Sequence, residues 1–228
     1  MKRLILCFIY LIFLSVSLRA EKNEGITYRD SILILAESMP SDTARLAYLQ
    51  SMAYCHQYFP YNRYFATALY EEAKRQKNIF YENEGAYYLA GYYDKKHDPD
   101  SLTYWVNQLK ELVSGVGTYD YYLERKAAIG RALASKRMIE KAVHVTKEVL
   151  EEAIAHNSNN GKIAAYNSLG CAYSVSSRPE EALKVLMKAY HEFKPGTKPF
   201  LKVDILSRIT QVYGNGGDLS LIHISEPT

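Results

Sequence analysis

The sequence predicts an all-α fold, a right-handed α-solenoid of stacked helical hairpins. Three observations lead there. Apolar residues recur at helical spacing, in segments of about 12–18 residues. Alternating, strand-like stretches are short. Similar residues then return at a step of about 40 residues, as in arrays whose units are single helical hairpins. The 228 residues are 48% hydrophobic and 23% charged, which excludes wholesale disorder. A net charge of +3 is too mild to argue for nucleic acid.

Lys2 and Arg3 precede an apolar run from Leu4 to Leu18. A basic start before an apolar stretch of this size reads as a secretory signal over residues 1–20. The run is short for a membrane span, which takes about 20 apolar residues. Ser15-Val16-Ser17 and Leu18-Arg19-Ala20 both offer cut sites, and an uncleaved anchor is the alternative. Cys7 lies inside the run, too early for lipid attachment. Lys2, Arg3 and Arg19 belong to this segment, so the body without it is near neutral. The overall positive charge therefore says nothing about partners.

Residues 27–46 read as an N-terminal capping helix and turn. Tyr28 to Ser38 is the helix, and Pro40-Ser41-Asp42-Thr43 starts the next one, capped by Ser41 or Asp42. Repetition begins at Ala47. The unit from Ala47 to Phe80 offers Ala53, Ala66, Tyr70 and Ala73, its first helix fitting with a one-residue slip. The unit from Asn83 offers Leu89, Ala90 and Tyr93, then Leu102, Val106 and Leu109, with Asp98 as N-cap before Pro99. The unit from Leu123 offers Ile129, Gly130, Leu133 and Ala142. His156 to Gly161 reads as an elongated turn. The clearest unit, Ile163 to Gly196, carries Tyr166, Leu169, Gly170 and Tyr173, then Ala182, Leu186 and Ala189. Its Pro179 falls in the first turn of the second helix, where the missing N–H costs nothing. Val203 opens a half-unit with Leu206, Ile209 and Tyr213, ending in a Gly217-Asp218 turn.

Residues 219–228, Leu219 to Thr228, resemble a translated sequencing-library adapter in one reading frame and are set aside as an artefact. The expectation is that the natural chain continues past Asp218.

In the unit from Ile163, the large Tyr166, Leu169, Tyr173 and Leu186 fall at positions 4, 7, 11 and 24 of a 34-residue motif. The small Gly170, Ala182 and Ala189 fall at positions 8, 20 and 27. In this pattern the chain resembles tetratricopeptide repeat (TPR) proteins, with about four and a half helix-turn-helix repeats over 47–218. Asp30-Ser31-Ile32-Leu33, followed by Pro40 to Leu46, is similar to the start of exported TPR sensor regions of Gram-negative signalling proteins. In those proteins a transmembrane helix leads to a histidine kinase or a DNA-binding domain. The resemblance implies export, to the periplasm or another extracytoplasmic location, with a membrane tie only through the signal or a missing downstream helix. It implies a non-catalytic scaffold that senses a protein or peptide ligand. The alternative is a free periplasmic or envelope scaffold.

First helices of such repeats line a concave groove with positions 2, 5, 9, 12 and 13. Here those positions supply Tyr48, Tyr58, Phe59, Tyr87, Asp94, Glu124, Arg131, Asn167 and Gln211, the expected partner-binding residues. Aromatic and Arg anchors suit such a surface. An ordinary wet surface is the plainer account of a groove tyrosine, whereas Tyr93, Tyr166 and Tyr173 sit at packing positions and are expected in the core. The two-carboxylate clamp of some TPR proteins needs Lys and Asn at positions 5 and 9. This chain has Ser51 and Cys55, Tyr87 and Gly91, Ala127 and Arg131, Asn167 and Cys171, so that clamp is not built.

No catalytic constellation is visible. Gly115-Val116-Gly117 and Gly214-Asn215-Gly216-Gly217 lack the spacing and the Lys of a phosphate loop. No Gly-x-Ser-x-Gly or His-Glu-x-x-His occurs. An enzyme, a cofactor and a metal are therefore not expected. Glu152 with His156, and His144 with Glu148, read as solvated helix faces rather than metal pairs. Cys55 and Cys171 fall in repeats that do not touch and read as free thiols.

Overall fold

The computed structural model describes residues 27–113 and 116–216. The signal, the Gly217-Asp218 turn and the adapter-like tail lie outside the described residues. Among the described residues there are ten helices and no strand. They are α1 Tyr28–Ser38, α2 Thr43–Cys55, α3 Asn62–Arg75, α4 Ile79–Lys95, α5 Pro99–Glu111, α6 Val116–Ser135, α7 Ile139–Ala155, α8 Asn159–Val175, α9 Pro179–His191 and α10 Pro199–Gly216.

Helix starts follow local chemistry. Thr27 and Asp30 form a reciprocal capping box ahead of α1. The Asp42 carboxylate accepts the Ala44 and Arg45 N–H groups at α2, and Asp98 accepts that of Ser101 at α5. Pro99 and Pro179 open α5 and α9.

The ends are equally regular. Five junctions, at 76–78, 96–98, 136–138, 156–158 and 176–178, use three residues with the middle one left-handed: Lys77, His97, Arg137, Asn157 and Ser177. Each closes with a bond from the last linker N–H to a carbonyl five residues back, as in Asn78 to Ala73 (2.9 Å) and Arg178 to Tyr173 (2.9 Å). None of the five middle residues is glycine. The elongated turn expected over His156–Gly161 is therefore only His156–Ser158. Gly161 is a helical residue in the first turn of α8, its N–H bonded to the Ser158 hydroxyl at 2.9 Å. A Cβ there would lie 2.7 Å from Leu123 Cδ1, so this glycine serves packing.

The chain divides into two compact units, Met1–Tyr88 and Leu89–Thr228. In the first, α1 lies against α2 and α3, which pair over Leu46, Leu49, Met52, Phe65, Leu69 and Tyr70. Buried Glu72 of α3 accepts from Ser41 (2.5 Å), Gln76 (2.7 Å), Arg45 (3.3 Å) and Arg75, tying the turn before α2 to α3.

In the second unit α6 packs on α5, α7 and α8, and α8 packs on α7, α9 and α10. The first helices α6 and α8 thus each meet both their hairpin partner and the next first helix. Small residues allow it: Gly130 on α6 faces the buried Thr146 of α7 and Ser168 of α8, and Gly170 on α8 faces Leu186 of α9. Tyr93, Tyr166 and Tyr173 are only half-buried; among the described residues of both units the buried tyrosines are Tyr70, Tyr88 and Tyr122. A ring with a polar tip settles where its hydroxyl can stay wet. In α10 the buried residues are Leu201, Ile205 and Val212, whereas Leu206 is exposed and Ile209 and Tyr213 are half-buried. The described helices packed on α10 are α8 and α9, and these meet its other face.

Candidate binding site

The second unit contains an open cleft of about 580 Å³ where the end of α8, the start of α9 and α10 converge. Cys171, Ser174 and Val175 come from α8, Ser177 and Pro179 from the α8–α9 junction, and Arg208, Gln211 and Val212 from α10. Ser177 is left-handed and Pro179 opens α9 at the mouth of the cleft. Val175, Val212 and Pro179 give the cleft apolar walls. Gln211 brings an exposed amide and Arg208 a guanidinium whose buried Nε has no hydrogen-bond partner. The volume lies within the usual range for ligand sites, about 300–1,000 Å³.

Beside it runs a charged belt. Arg131 of α6 holds Asp94 of α4 at 2.8 Å, and Arg125 lies 3.9 Å from the same carboxylate. Burial works against the Arg131 charge, but Asp94 outweighs it, with Cys171 and Asp204 adding to the attraction, so its pKa rises.

The expected site residues divide. In the first unit Tyr48 is half-buried with an unpartnered hydroxyl, which burial and nearby Tyr28 push up to about 12. Tyr87 is half-buried against Tyr88. Tyr58 and Phe59 are exposed but lie in the α2–α3 connection, not on a first helix. In the second unit Asp94 and Arg131 pair, and Gln211 lines the cleft. Glu124 is buried 2.5 Å from Lys198. Asn167 is 1% exposed, and neither amide atom has a partner. Arg208 and Ser174 were not anticipated. The available signal was that each lies three residues from a recognised groove position, Gln211 and Cys171 respectively, and so shares its helix face.

Glu152 is engaged by the Tyr119 hydroxyl and Lys126, each at 2.7 Å, and His156 stacks on Tyr119 at 4.1 Å. His144 and Glu148 form an exposed contact at 3.4 Å. Cys55 and Cys171 are free thiols. Among the described residues no group of three or more His, Cys, Asp or Glu could hold a metal.

No protein-family model, no curated protein and no solved structure matches this chain.

Proposed function

We propose that this chain is a non-catalytic TPR-type scaffold, a right-handed solenoid that binds a protein or peptide segment on its first helices. The observation that carries the reading is the cleft at Cys171, Ser174, Arg208 and Gln211, next to the Asp94–Arg131 pair. One cation, one amide and apolar walls suit an extended segment presenting an acidic or amide side chain beside an apolar one. The packing of α6 and of α8 on both a hairpin partner and the next first helix supports the hairpin-repeat reading. The basic and apolar N-terminus supports an exported, periplasmic sensing role within a larger membrane signalling protein.

Selection of displayed random peptides on the full chain tests the binding function. Selected peptides are expected to lose at least about tenfold in affinity to Arg208→Glu or Gln211→Ala, equivalent to about 1.4 kcal/mol. Selection that yields no peptide, or peptides indifferent to both substitutions, discards the cleft. Mass spectrometry of the N-terminus in a Gram-negative host tests export; a chain that keeps Met1 in the cytoplasm contradicts it.

A further inference from the structure

A cluster of exposed aromatic side chains closes one end of the first unit. Tyr54 is 61% exposed, Tyr58 75% and Phe59 54%, with Tyr28, Tyr61 and Tyr64 exposed beside them. The rings are organised around His56. Its ring lies 5.0 Å from buried Phe65, 5.7 Å from Tyr28, 6.0 Å from Phe59 and 6.4 Å from Tyr61. Its Nδ1 is 2.8 Å from the Met52 carbonyl and its Nε2 is 3.2 Å from the Tyr28 hydroxyl. Phe59 and Tyr61 stack at 6.5 Å. An anchored platform thus holds several large rings toward solvent, an arrangement soluble chains rarely keep without something to cover it.

The charges around the cluster choose the covering surface. From Ser51 to Tyr70 there is no Asp or Glu, and Arg63 is the one Lys or Arg. Arg29, ion-paired with Asp30 at 2.5 Å, and Arg63 sit over the Tyr64 ring at 4.4 Å and 5.4 Å, so Arg63 supplies the net positive charge of the rim. Aromatic bodies with hydroxyl tips and a cationic rim match the boundary layer of a bilayer, apolar on one side and wet on the other. The chain also points there. The apolar run ends at Leu18, eight residues before Thr27. Eight extended residues reach at most about 28 Å. In the uncleaved-anchor alternative, a bilayer that takes up Leu4–Leu18 keeps the cluster within reach of its surface.

We propose that the Tyr54, Tyr58, Phe59, Tyr61 and Tyr64 face docks on the interfacial zone of a phospholipid bilayer. No described helix is long and apolar enough to cross a membrane. The proposal is independent of the peptide cleft.

The test uses the full chain with its single tryptophan removed by Trp105→Phe. Phe59→Trp places a reporter in the cluster, and Tyr104→Trp places one at an exposed position of α5. Both are mixed with vesicles of phosphatidylcholine and a minority of phosphatidylglycerol, brominated on the acyl chains. The reporter at 59 is expected to lose on the order of half its emission, because interfacial rings sit at the headgroup–acyl boundary. The reporter at 104 is expected to keep its emission. No quenching at 59, equal quenching at both positions, or lipid-independent protection at 59 that grows with protein concentration overturns the proposal. The last outcome assigns the face to a second copy of the chain. Tyr58→Trp supplies the same reading if the Phe59 variant loses its helical circular dichroism.

Discussion

Gly130→Ala is expected to destabilise the protein although it improves helix propensity. In an exposed helix the change would stabilise by about 1 kcal/mol. Gly130, however, sits where α6 meets both α7 and α8. A methyl group there would lie 2.5 Å from Ser168 Oγ, closer still to Thr146 Oγ1, and 3.2 Å from the Ala142 carbonyl oxygen. Thr146 and Ser168 are fully buried and share a hydrogen bond of 3.1 Å, while Thr146 also donates to the Ala142 carbonyl at 2.7 Å. Forcing the helices apart costs about 1–3 kcal/mol. Rotating Thr146 aside instead leaves buried polar atoms unpaired, at about 1–3 kcal/mol. Set against the propensity gain, the net loss is about 3 kcal/mol if both responses contribute. Urea unfolding followed by circular dichroism reads this as a midpoint lowered by about 1.5 M, for a slope of about 2 kcal/mol/M. Adding Thr146→Ala and Ser168→Ala removes both hydroxyls together and is expected to restore most of the loss. A Gly130→Ala midpoint at or above wild type refutes the reasoning. So does a triple variant as weak as the single one.

Three further outcomes follow from the same geometry. Burial alone would raise the Glu72 carboxyl, but bonds from Ser41 and Gln76 and the charges of Arg75 and Arg45 hold it below its usual 4.5. Its contribution is thus present above the unfolded value and lost as pH falls through the lower folded one. Glu72→Gln should flatten the acid limb of a Tm-against-pH curve and cost about 3 kcal/mol at neutral pH, because half-buried Arg45 loses its partner. An unchanged acid limb counts against that role. Lys77→Gly should stabilise by about 1 kcal/mol, since the left-handed φ of 54° suits glycine better than a residue with a Cβ; a lower Tm contradicts this. Asn167→Leu should raise stability by about 1–2 kcal/mol by removing a buried, unpartnered amide. A fall in stability would mean that the amide is satisfied in solution.

The helical class and the alternation of first and second helices were legible because apolar spacing and small residues at close approaches report packing directly. Gly170 against Leu186 and Asp98 before Pro99 are examples. The starts of the first helices α8 and α10 were not legible. The 40-residue step exceeds the 34-residue motif, which is compatible with longer loops, such as a turn at His156–Gly161, or with longer helices. The extra length lies in long first helices: α8 begins at Asn159 and α10 at Pro199, each four residues before its unit's expected start. The sharp turns escaped notice because Lys77, His97, Arg137, Asn157 and Ser177 take left-handed backbone without glycine. Gly161, beside one of these turns, serves packing, and Gly196, in the α9–α10 connection, has the positive φ of 93°.

The site was less legible because a motif position fixes a helix face only where the helix exists and its neighbour leaves that face open. Tyr58 and Phe59 fail the first condition. Pro60 disfavours helical backbone at Phe59, so α2 stops at Cys55 and both rings pass into the connection. Asp94, at the same motif position as Tyr58, stays on α4, which runs to Lys95. Glu124 and Asn167 fail the second condition. First helices of 17–20 residues pack along one another from α6 to α8 and from α8 to α10, and Glu124 and Asn167, each in the middle of its helix, are buried there. Gln211 meets both conditions, lying late on α10 and beside a junction that opens a cleft. The same logic separates the two kinds of polar residue in the second unit. Asp94 and Arg131 satisfy each other across α4 and α6 and hold those helices together. Asn167 satisfies nothing in the structure, so retaining it costs stability. That cost gives the amide at 167 a stronger claim to a role outside folding than any of the paired charges beside it.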